Sequence, residues 1–501
     1  MKKLLVAIFL LSHLACFAVA NYFTGAVNSH FSNASNWSTL AVPTANDGNI
    51  VSFHVVSITM TIDVVSFCNN IDFTNFTGSL VMTNSLTVSG NITGATGITI
   101  SGSSALITNA TGTLTSNGMV WPNTFTLSGP TSQTYTFADN WSVSTLSISA
   151  TTAVTLAGAY TINCSSLSVT TSNVTSSTTS IVMNGTGTWS GSGAIGMNLT
   201  FNSAGTITVS GSVQFGVTTS TLLYTAGTMI VTSSTLTLNS NATINTSGMT
   251  WNNVTIGNGQ TVTLSSNLVL SGNITTGGNG TVNGAFKIVT SGGASGGTGN
   301  GLQGTASLLM NGTGTIGQTI AMAIEINTAG TITVSAANGF TLNGATMTFT
   351  AVGSFVTAGA EVHTRTGAVF TVNVSGIAFE TFTSLFANET TTWNGTNAVS
   401  FGTFNGFHGD TYSFTAGTTY PITTAWNMIG TAASQITLKS ATPSSSTLIP
   451  LTVGATQNIR SVKATDIDSS GGQTIDNKQN GTQTRTVNWR LRSDNFFPFF
   501  Q

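Results

Sequence analysis

Apolar residues alternate with Thr, Ser or Asn in short runs along nearly the whole chain. From about Ser85, segments such as Leu86-Thr87-Val88, Thr206-Ile207-Thr208-Val209, Thr261-Val262-Thr263-Leu264 and Thr331-Ile332-Thr333-Val334 follow one another. Period two is the pattern of a strand with one face buried and one in water. Gly, Asn and Ser punctuate the runs about every 8 to 14 residues, and no stretch carries a 3.6-residue period with helix caps. The pattern predicts short strands to the end of the chain and no helices.

Longer repeats lie on top of this alternation. Met183-Asn184-Gly185-Thr186-Gly187-Thr188 returns as Met310-Asn311-Gly312-Thr313-Gly314-Thr315, an offset of 127. Ala204-Gly205-Thr206-Ile207-Thr208-Val209 returns as Ala329-Gly330-Thr331-Ile332-Thr333-Val334, an offset of 125. Ser116-Asn117-Gly118-Met119-Val120-Trp121 is echoed by Thr246-Ser247-Gly248-Met249-Thr250-Trp251, an offset of 130. Near-equal offsets indicate one long unit, duplicated with small insertions and made of several strand-turn rungs. Stacked rungs bury a continuous core, and their number scales with chain length, unlike the strand count of a sandwich. The expected fold is all-β: a right-handed parallel β-solenoid (β-helix) rod, roughly 20–30 residues per coil, with capping segments at both ends.

Of 501 residues only 5% are charged, 11 Lys+Arg against 13 Asp+Glu, for a formal net charge of -2. So few cations argue against a nucleic-acid binder, which needs clustered Lys/Arg to displace counterions. With 40% hydrophobic residues and this little charge, the chain does not read as disordered. The charges are also unevenly placed. No Lys or Arg occurs from Leu4 to Phe286, no charge or His from Asn140 to Phe286, and ten of the 24 charges fall between Arg460 and Asp494. The expected organisation is a signal peptide at 1–20, a cap with the first rungs at 21–84 and a repetitive shaft of low charge at 85–355. Rungs with a titratable cluster follow at 356–445, then the last rungs, a charged cap and an aromatic tail at 446–501. That tail, Phe496-Phe497-Pro498-Phe499-Phe500-Gln501, is expected to fold over the last rung as a cap, or else to dock onto a partner or a second copy, because solvated Phe side chains are costly.

Lys2-Lys3, the apolar run 4–20 and Ala18-Val19-Ala20 form a secretory signal with cleavage before Asn21. The mature chain then has no transmembrane span. Cys68 and Cys164 are too few for a disulfide scaffold and are expected to be small buried hydrophobes.

Asn36-Trp37-Ser38 followed by Val42-Pro43-Thr44-Ala45-Asn46-Asp47 resembles the opening of secreted bacterial β-solenoid proteins of the adhesin type. Cys68-Asn69-Asn70-Ile71-Asp72-Phe73-Thr74, Leu114-Thr115-Ser116-Asn117-Gly118 with Trp121-Pro122, and the ending Asp466-Ile467-Asp468-Ser469-Ser470-Gly471-Gly472 with Asn488-Trp489 are similar to tail-fibre-like repeat proteins of environmental phages. The resemblance covers most of the chain in style, through short motifs of low complexity. It implies a β-solenoid with an extracellular structural role and names no ligand. The secretion signal departs from the phage pattern.

The richest chemistry is Glu361-Val362-His363-Thr364-Arg365, where period two puts Glu361, His363 and Arg365 on one strand face. Glu380, Glu389, His408 and Asp410 follow within fifty residues. Acid, base and cation on adjacent rungs suit binding an acidic polysaccharide, or cleaving one by proton transfer. The same residues also suit a solvated face of weak ion pairs. The candidate ligand-binding set is Glu361, His363, Arg365, Glu380, His408 and Asp410, with no catalytic residue and no metal assigned. Asp466-Ile467-Asp468-Ser469-Ser470-Gly471 resembles half a calcium loop, but Asn477 stands where a twelfth-position Glu is expected, which favours a Gly-Gly turn. Thr-x-Thr pairs (Thr59/Thr61, Thr206/Thr208, Thr261/Thr263, Thr331/Thr333, Thr346/Thr348/Thr350) allow an ice-binding ladder or the ordinary outward face of a strand. Twenty Asn-x-Ser/Thr sequons run from Asn33 to Asn480, in an excess that alternation alone supplies.

These readings converge on a secreted, non-enzymatic structural or adhesive rod. The alternatives are a virion fibre that recognises a host surface and a polysaccharide-binding or polysaccharide-degrading β-helix. The expected partners are a surface polysaccharide or a host or neighbouring cell surface, with homo-oligomers left open, and no nucleic acid or cofactor.

Overall fold

The alternation builds strands, and the strands stack. The computed structural model describes residues 21–45, 50–52, 58–171, 173–216, 219–231, 233–247, 249–297, 299–337, 339–357 and 359–492. The signal segment 1–20 and the aromatic tail lie outside these residues. The chain divides into two compact units, Met1–Val231 and Thr232–Gln501. Each is a β-solenoid of parallel coils, about 20 coils in all, and no α-helix occurs among the described residues.

In the first unit one inward column is formed by Leu86, Leu106, Phe125, Leu146, Leu167, Trp189 and Val209, each paired in parallel with the next. All seven are buried, and their spacing along the chain is nearly constant. Contacts from one coil to the next, such as that of Thr161 with Asn140, carry a sequence separation of 21. The steps from Phe125 to Leu146 and from Leu146 to Leu167 are of the same length, so the repeat offset of 127 corresponds to six circuits.

Longer strands bend without ending. Trp141–Ile148 shows two outward residues in succession, Ser144 and Thr145, between inward runs. Thr161–Val169 does the same at Ser165 and Ser166, in register one coil on. The phase of the period-two pattern shifts by one residue at such a corner, so both halves still bury their apolar side chains.

Other corners are closed by asparagine. The side-chain Oδ1 of Asn140 accepts the backbone N–H of Thr161 (2.8 Å), Asn241 that of Thr261 (2.8 Å), Asn253 that of Asn273 (2.8 Å) and Asn279 that of Asn300 (2.8 Å). Each acceptor serves a backbone donor one coil away, where the bend interrupts the sheet ladder. The residue after the Asn points inward and the next points outward, as in Asn253-Val254-Thr255 and Asn273-Ile274-Thr275. A corner Asn followed by an alternating strand that presents Thr is a sequon by construction.

The repeated segments have the same environment in the two units. In the first, Gly187 pairs with Ile207 and Thr188 with Thr208; in the second, Gly314 pairs with Ile332 and Thr315 with Thr333. Thr186 Oγ1 accepts the N–H of Thr206 (3.4 Å), and Thr313 Oγ1 accepts that of Thr331 (3.3 Å). Even the glycine is fixed for one reason. A Cβ on Gly205 would lie 2.0 Å from Thr186 Oγ1, and one on Gly330 2.3 Å from Thr313 Oγ1.

The second unit contains a twelve-stranded parallel sheet from Thr250–Trp251 to Thr482–Thr484. On it the inward column Met347, Phe370, Trp393, Phe414 lies in the core with a second column, Phe340, Val362, Phe382, Phe404, Trp426, from the other sheet. Towards the C-terminus the circuits become irregular. Trp426 pairs with Gln457, Ile459 with Asn477 and Asn477 with Leu491. The short last circuit leaves the inward-facing Leu491 52% exposed.

The Asn36-Trp37 motif builds the N-terminal end of the first unit. Trp37 packs edge-on against Phe23 and Phe31, with centroids 5.2 and 4.8 Å away, and its indole N–H donates to the Phe31 carbonyl (2.8 Å). Asn36 is buried and its Oδ1 accepts the N–H groups of Val27 and Asn28. This segment is tied to the coil beneath by Asp63, which accepts from the Ser32 hydroxyl, the Ser32 N–H (3.0 Å) and the His30 ring (3.0 Å). Burial alone would raise the Asp63 pKa, but these donors hold it down to about 2. A folded pKa below the ordinary 3.8 stabilises the fold above that value, and the contribution is lost as pH falls towards 2. Acid titration followed by Trp37 fluorescence is therefore expected to show the segment loosening between about pH 4 and 2. In Asp63→Asn that acid dependence is expected to vanish, and an unchanged titration would rule out this staple.

Candidate functional site

Glu361, His363 and Arg365 share the outward face of the strand Glu361–Arg365, while Val362 and Thr364 point inward and are buried. His363 Nε2 lies 3.3 Å from Glu361 Oε2. Burial lowers the imidazole pKa below 6.5, and the nearby Glu361 carboxylate opposes part of that shift. The Arg365 guanidinium sits 5.2 Å above the centre of the Phe386 ring, a cation–π contact on a ring that is 53% exposed. These three side chains form a small polar patch on an open sheet face.

The other members of the set lie on the two following coils. Glu380 lies at a corner, beside the outward Thr381. Its Oε2 accepts the Gly359 N–H (2.8 Å), and its own N–H donates to Thr357 Oγ1 (2.8 Å). His408 is exposed in the turn after Val399–Phe407, and its carbonyl accepts the Asn388 N–H (3.1 Å).

Asp410 is fully buried. Its Oδ1 accepts the Glu389 N–H (2.9 Å), and its Oδ2 accepts the Phe407 N–H (2.7 Å) and the Tyr412 hydroxyl (3.0 Å). Burial pushes its carboxyl pKa up, and these hydrogen bonds offset part of the rise. Glu389 is buried beside it, and its Oε2 has no hydrogen-bond partner among the described residues. Sequence position alone grouped Asp410 with the patch; its geometry is that of a bracket joining two coils. The signal that separates them is spacing, because Glu389 and Asp410 lie one circuit apart, a separation of 21.

The remaining candidates also take structural positions. Both carboxylate oxygens of Asp466 bind Arg485, with Nη2 to Oδ2 at 2.7 Å, and Asp468 accepts the Ser470 N–H (2.7 Å). These contacts make the segment a pinned turn. Outward threonines form columns such as Thr237, Thr255, Thr275 with Ser295, and Thr255 and Thr275 share a hydroxyl hydrogen bond of 3.0 Å. Cys68 and Cys164 are free and buried, with thiol pKa values pushed up to about 12 by burial, the small inert hydrophobes that two isolated cysteines suggested. A recess of about 570 Å³ in the first unit is lined by Thr155, Thr175, Ser176, Thr179, Met197, Asn198 and Thr219. Its inner hydroxyls are engaged: Ser176 Oγ accepts the Thr179 N–H (2.8 Å), and Thr179 Oγ1 donates to the Gly158 carbonyl (2.6 Å).

Comparison of the chain with protein-family models, with curated proteins and with solved structures finds no match. What the structure shows of the chain is a β-solenoid repeat architecture. No helix among the described residues is long and apolar enough to cross a membrane.

Proposed function

We propose that the protein is a secreted structural or adhesive β-solenoid, working through its surface and not through turnover. The observation that carries this reading is the use made of its side chains. Hydroxyl and amide groups form outward columns from coil to coil, and the buried carboxylate of Asp410 holds backbone. The apolar run 4–20 with its small-x-small ending supports export, and the buried, inert thiols suit an oxidising exterior.

Expression of the full chain in a bacterial host tests this. The expected result is material outside the cytoplasm whose first residue is Asn21, which adheres to cells or to immobilised glycan and does not depolymerise it. Retention in the cytoplasm with Met1 intact would refute export. Release of reducing ends from a polysaccharide would refute the non-enzymatic role.

A further inference from the structure

The chain is poor in charge, yet its last coils are cationic. Residues 436–492 hold seven Lys or Arg against three Asp, although the whole protein has a net charge of -2. Register decides where these charges go. Ile429 pairs with Arg460, Arg460 with Lys478 and Lys478 with Arg492, while Asp476 pairs with Arg490. Their strand neighbours Ile459 and Asn477 are buried, so Arg460, Lys478, Arg490 and Arg492 all stand on the outward face of one sheet. Three consecutive coils thus present a file of cations about 4.8 Å apart. One anion answers them: Asp476 lies 2.6 Å from Arg490 Nη2 and 3.1 Å from Arg492 Nε. Arg460 and Lys478 have no ion-pair partner among the described residues.

The same face continues with amides. Asn405, Asn427 and Asn458 follow in register; Asn427 Nδ2 donates to Asn405 Oδ1 (2.9 Å) and Asn405 Nδ2 to Thr383 Oγ1 (3.1 Å). The outward end of this ladder, at Asn427 and Asn458, adjoins Arg460. Guanidinium groups recognise carboxylate or sulfate with paired hydrogen bonds, and primary amides both donate to and accept from hydroxyls. A linear file of the first beside a linear file of the second is complementary to a chain that carries anions and hydroxyls together.

We infer that the outward sheet face around Arg460, Lys478, Arg490 and Arg492 binds an extended acidic glycan lying along the stack of coils. This gives the adhesive reading a partner class and rests on it. The occupant follows from charge complementarity: the file carries a net excess of three positive charges in a chain whose overall net charge is -2, and its spacing is set by the coils. A flat, linear cation file beside amides suits a polyuronate strand better than a duplex, which needs many more phosphate contacts.

The test uses the purified full chain and immobilised polygalacturonate, with dextran as the neutral control. Binding to polygalacturonate that weakens with salt, and no binding to dextran, is expected. The double variant Arg460→Gln, Lys478→Gln should bind about tenfold or more weakly, as loss of charge-assisted hydrogen bonds implies. Asp476→Asn should bind several-fold more tightly, because it frees Arg490 and Arg492, an outcome that a merely structural role would not produce. Lys287→Gln, at a cation paired with Glu325 on the other sheet, should leave affinity unchanged. Circular dichroism checks that each variant keeps its strand content. Equal binding to dextran, an unchanged double variant, or preference for single-stranded polynucleotide over polygalacturonate would overturn the inference. If export and cell adherence persist without polygalacturonate binding, this face is refuted while the adhesive reading stands; loss of export refutes the adhesive reading itself.

Discussion

Trp393→Ala is expected to destabilise the second unit by about 3–5 kcal/mol, the usual loss for a large aromatic deleted from a tight core. Trp393 is fully buried, stacked on Phe370 at 4.4 Å with planes 12° apart. It meets the edges of Phe379 at 5.6 Å and Phe401 at 5.2 Å. Phe370 and Phe414 are its register partners on the coils before and after, so the truncation removes contacts on both sides. The indole N–H has no hydrogen-bond partner among the described residues. Trp393→Phe therefore keeps most of the packing and loses no hydrogen bond, and is expected to cost about 1–2 kcal/mol. In a stacked repeat the damage stays near its source. Hydrogen exchange should accelerate in the strands 368–372, 390–394 and 411–414 before it does in 250–283. Similar losses for Ala and Phe, or uniform acceleration, would mean that Trp393 does not organise this part of the core.

Asp410→Ala is expected to be almost as damaging, for a different reason. It leaves two backbone N–H groups and the buried Tyr412 hydroxyl without their acceptor, each worth about 1–3 kcal/mol when left unsatisfied. Because these losses share one site and do not simply add, the total is expected at about 3–5 kcal/mol. Asp410→Asn keeps one acceptor oxygen and removes a buried charge, so it should fall between the wild type and Ala. Chemical denaturation of the three proteins decides the order. If Asp410 served a ligand instead of the fold, Ala would leave stability unchanged.

The fold was legible in sequence because the period-two alternation survives in nearly every strand and the long offsets are close to multiples of one circuit. Glu361, His363 and Arg365 were likewise placed on one face correctly, since they lie within a single straight strand. Counting in twos breaks down where the chain bends. Glu380 sits where two outward residues occur in succession, and Asp410 follows a turn at Gly409 with φ of +80°, so neither can be assigned a face by counting in twos. The cation file has no local signature either. Arg460, Lys478 and Arg492 lie far apart in sequence and at unequal intervals, and only the shortened terminal circuits bring them into one column. The asparagine corners had the opposite problem: their sequence signature was visible but read only as an excess that alternation supplies, because the acceptor role appears only once coils are stacked.

Parallel stacking itself is tested most directly by engineered cysteine pairs in a chain with Cys68 and Cys164 replaced by Ala. Thr255 and Thr275 are register partners on adjacent coils, with hydroxyl oxygens 3.0 Å apart. Thr255 and Thr263 are much closer in sequence, and an antiparallel hairpin turning at Asn258–Gln260 would place them directly opposite each other. Under mild oxidation, quantified by mass spectrometry, the Thr255→Cys, Thr275→Cys pair should form its disulfide rapidly and nearly completely, while Thr255→Cys, Thr263→Cys stays reduced. Rapid closure of the second pair with failure of the first would show hairpin pairing and contradict the solenoid.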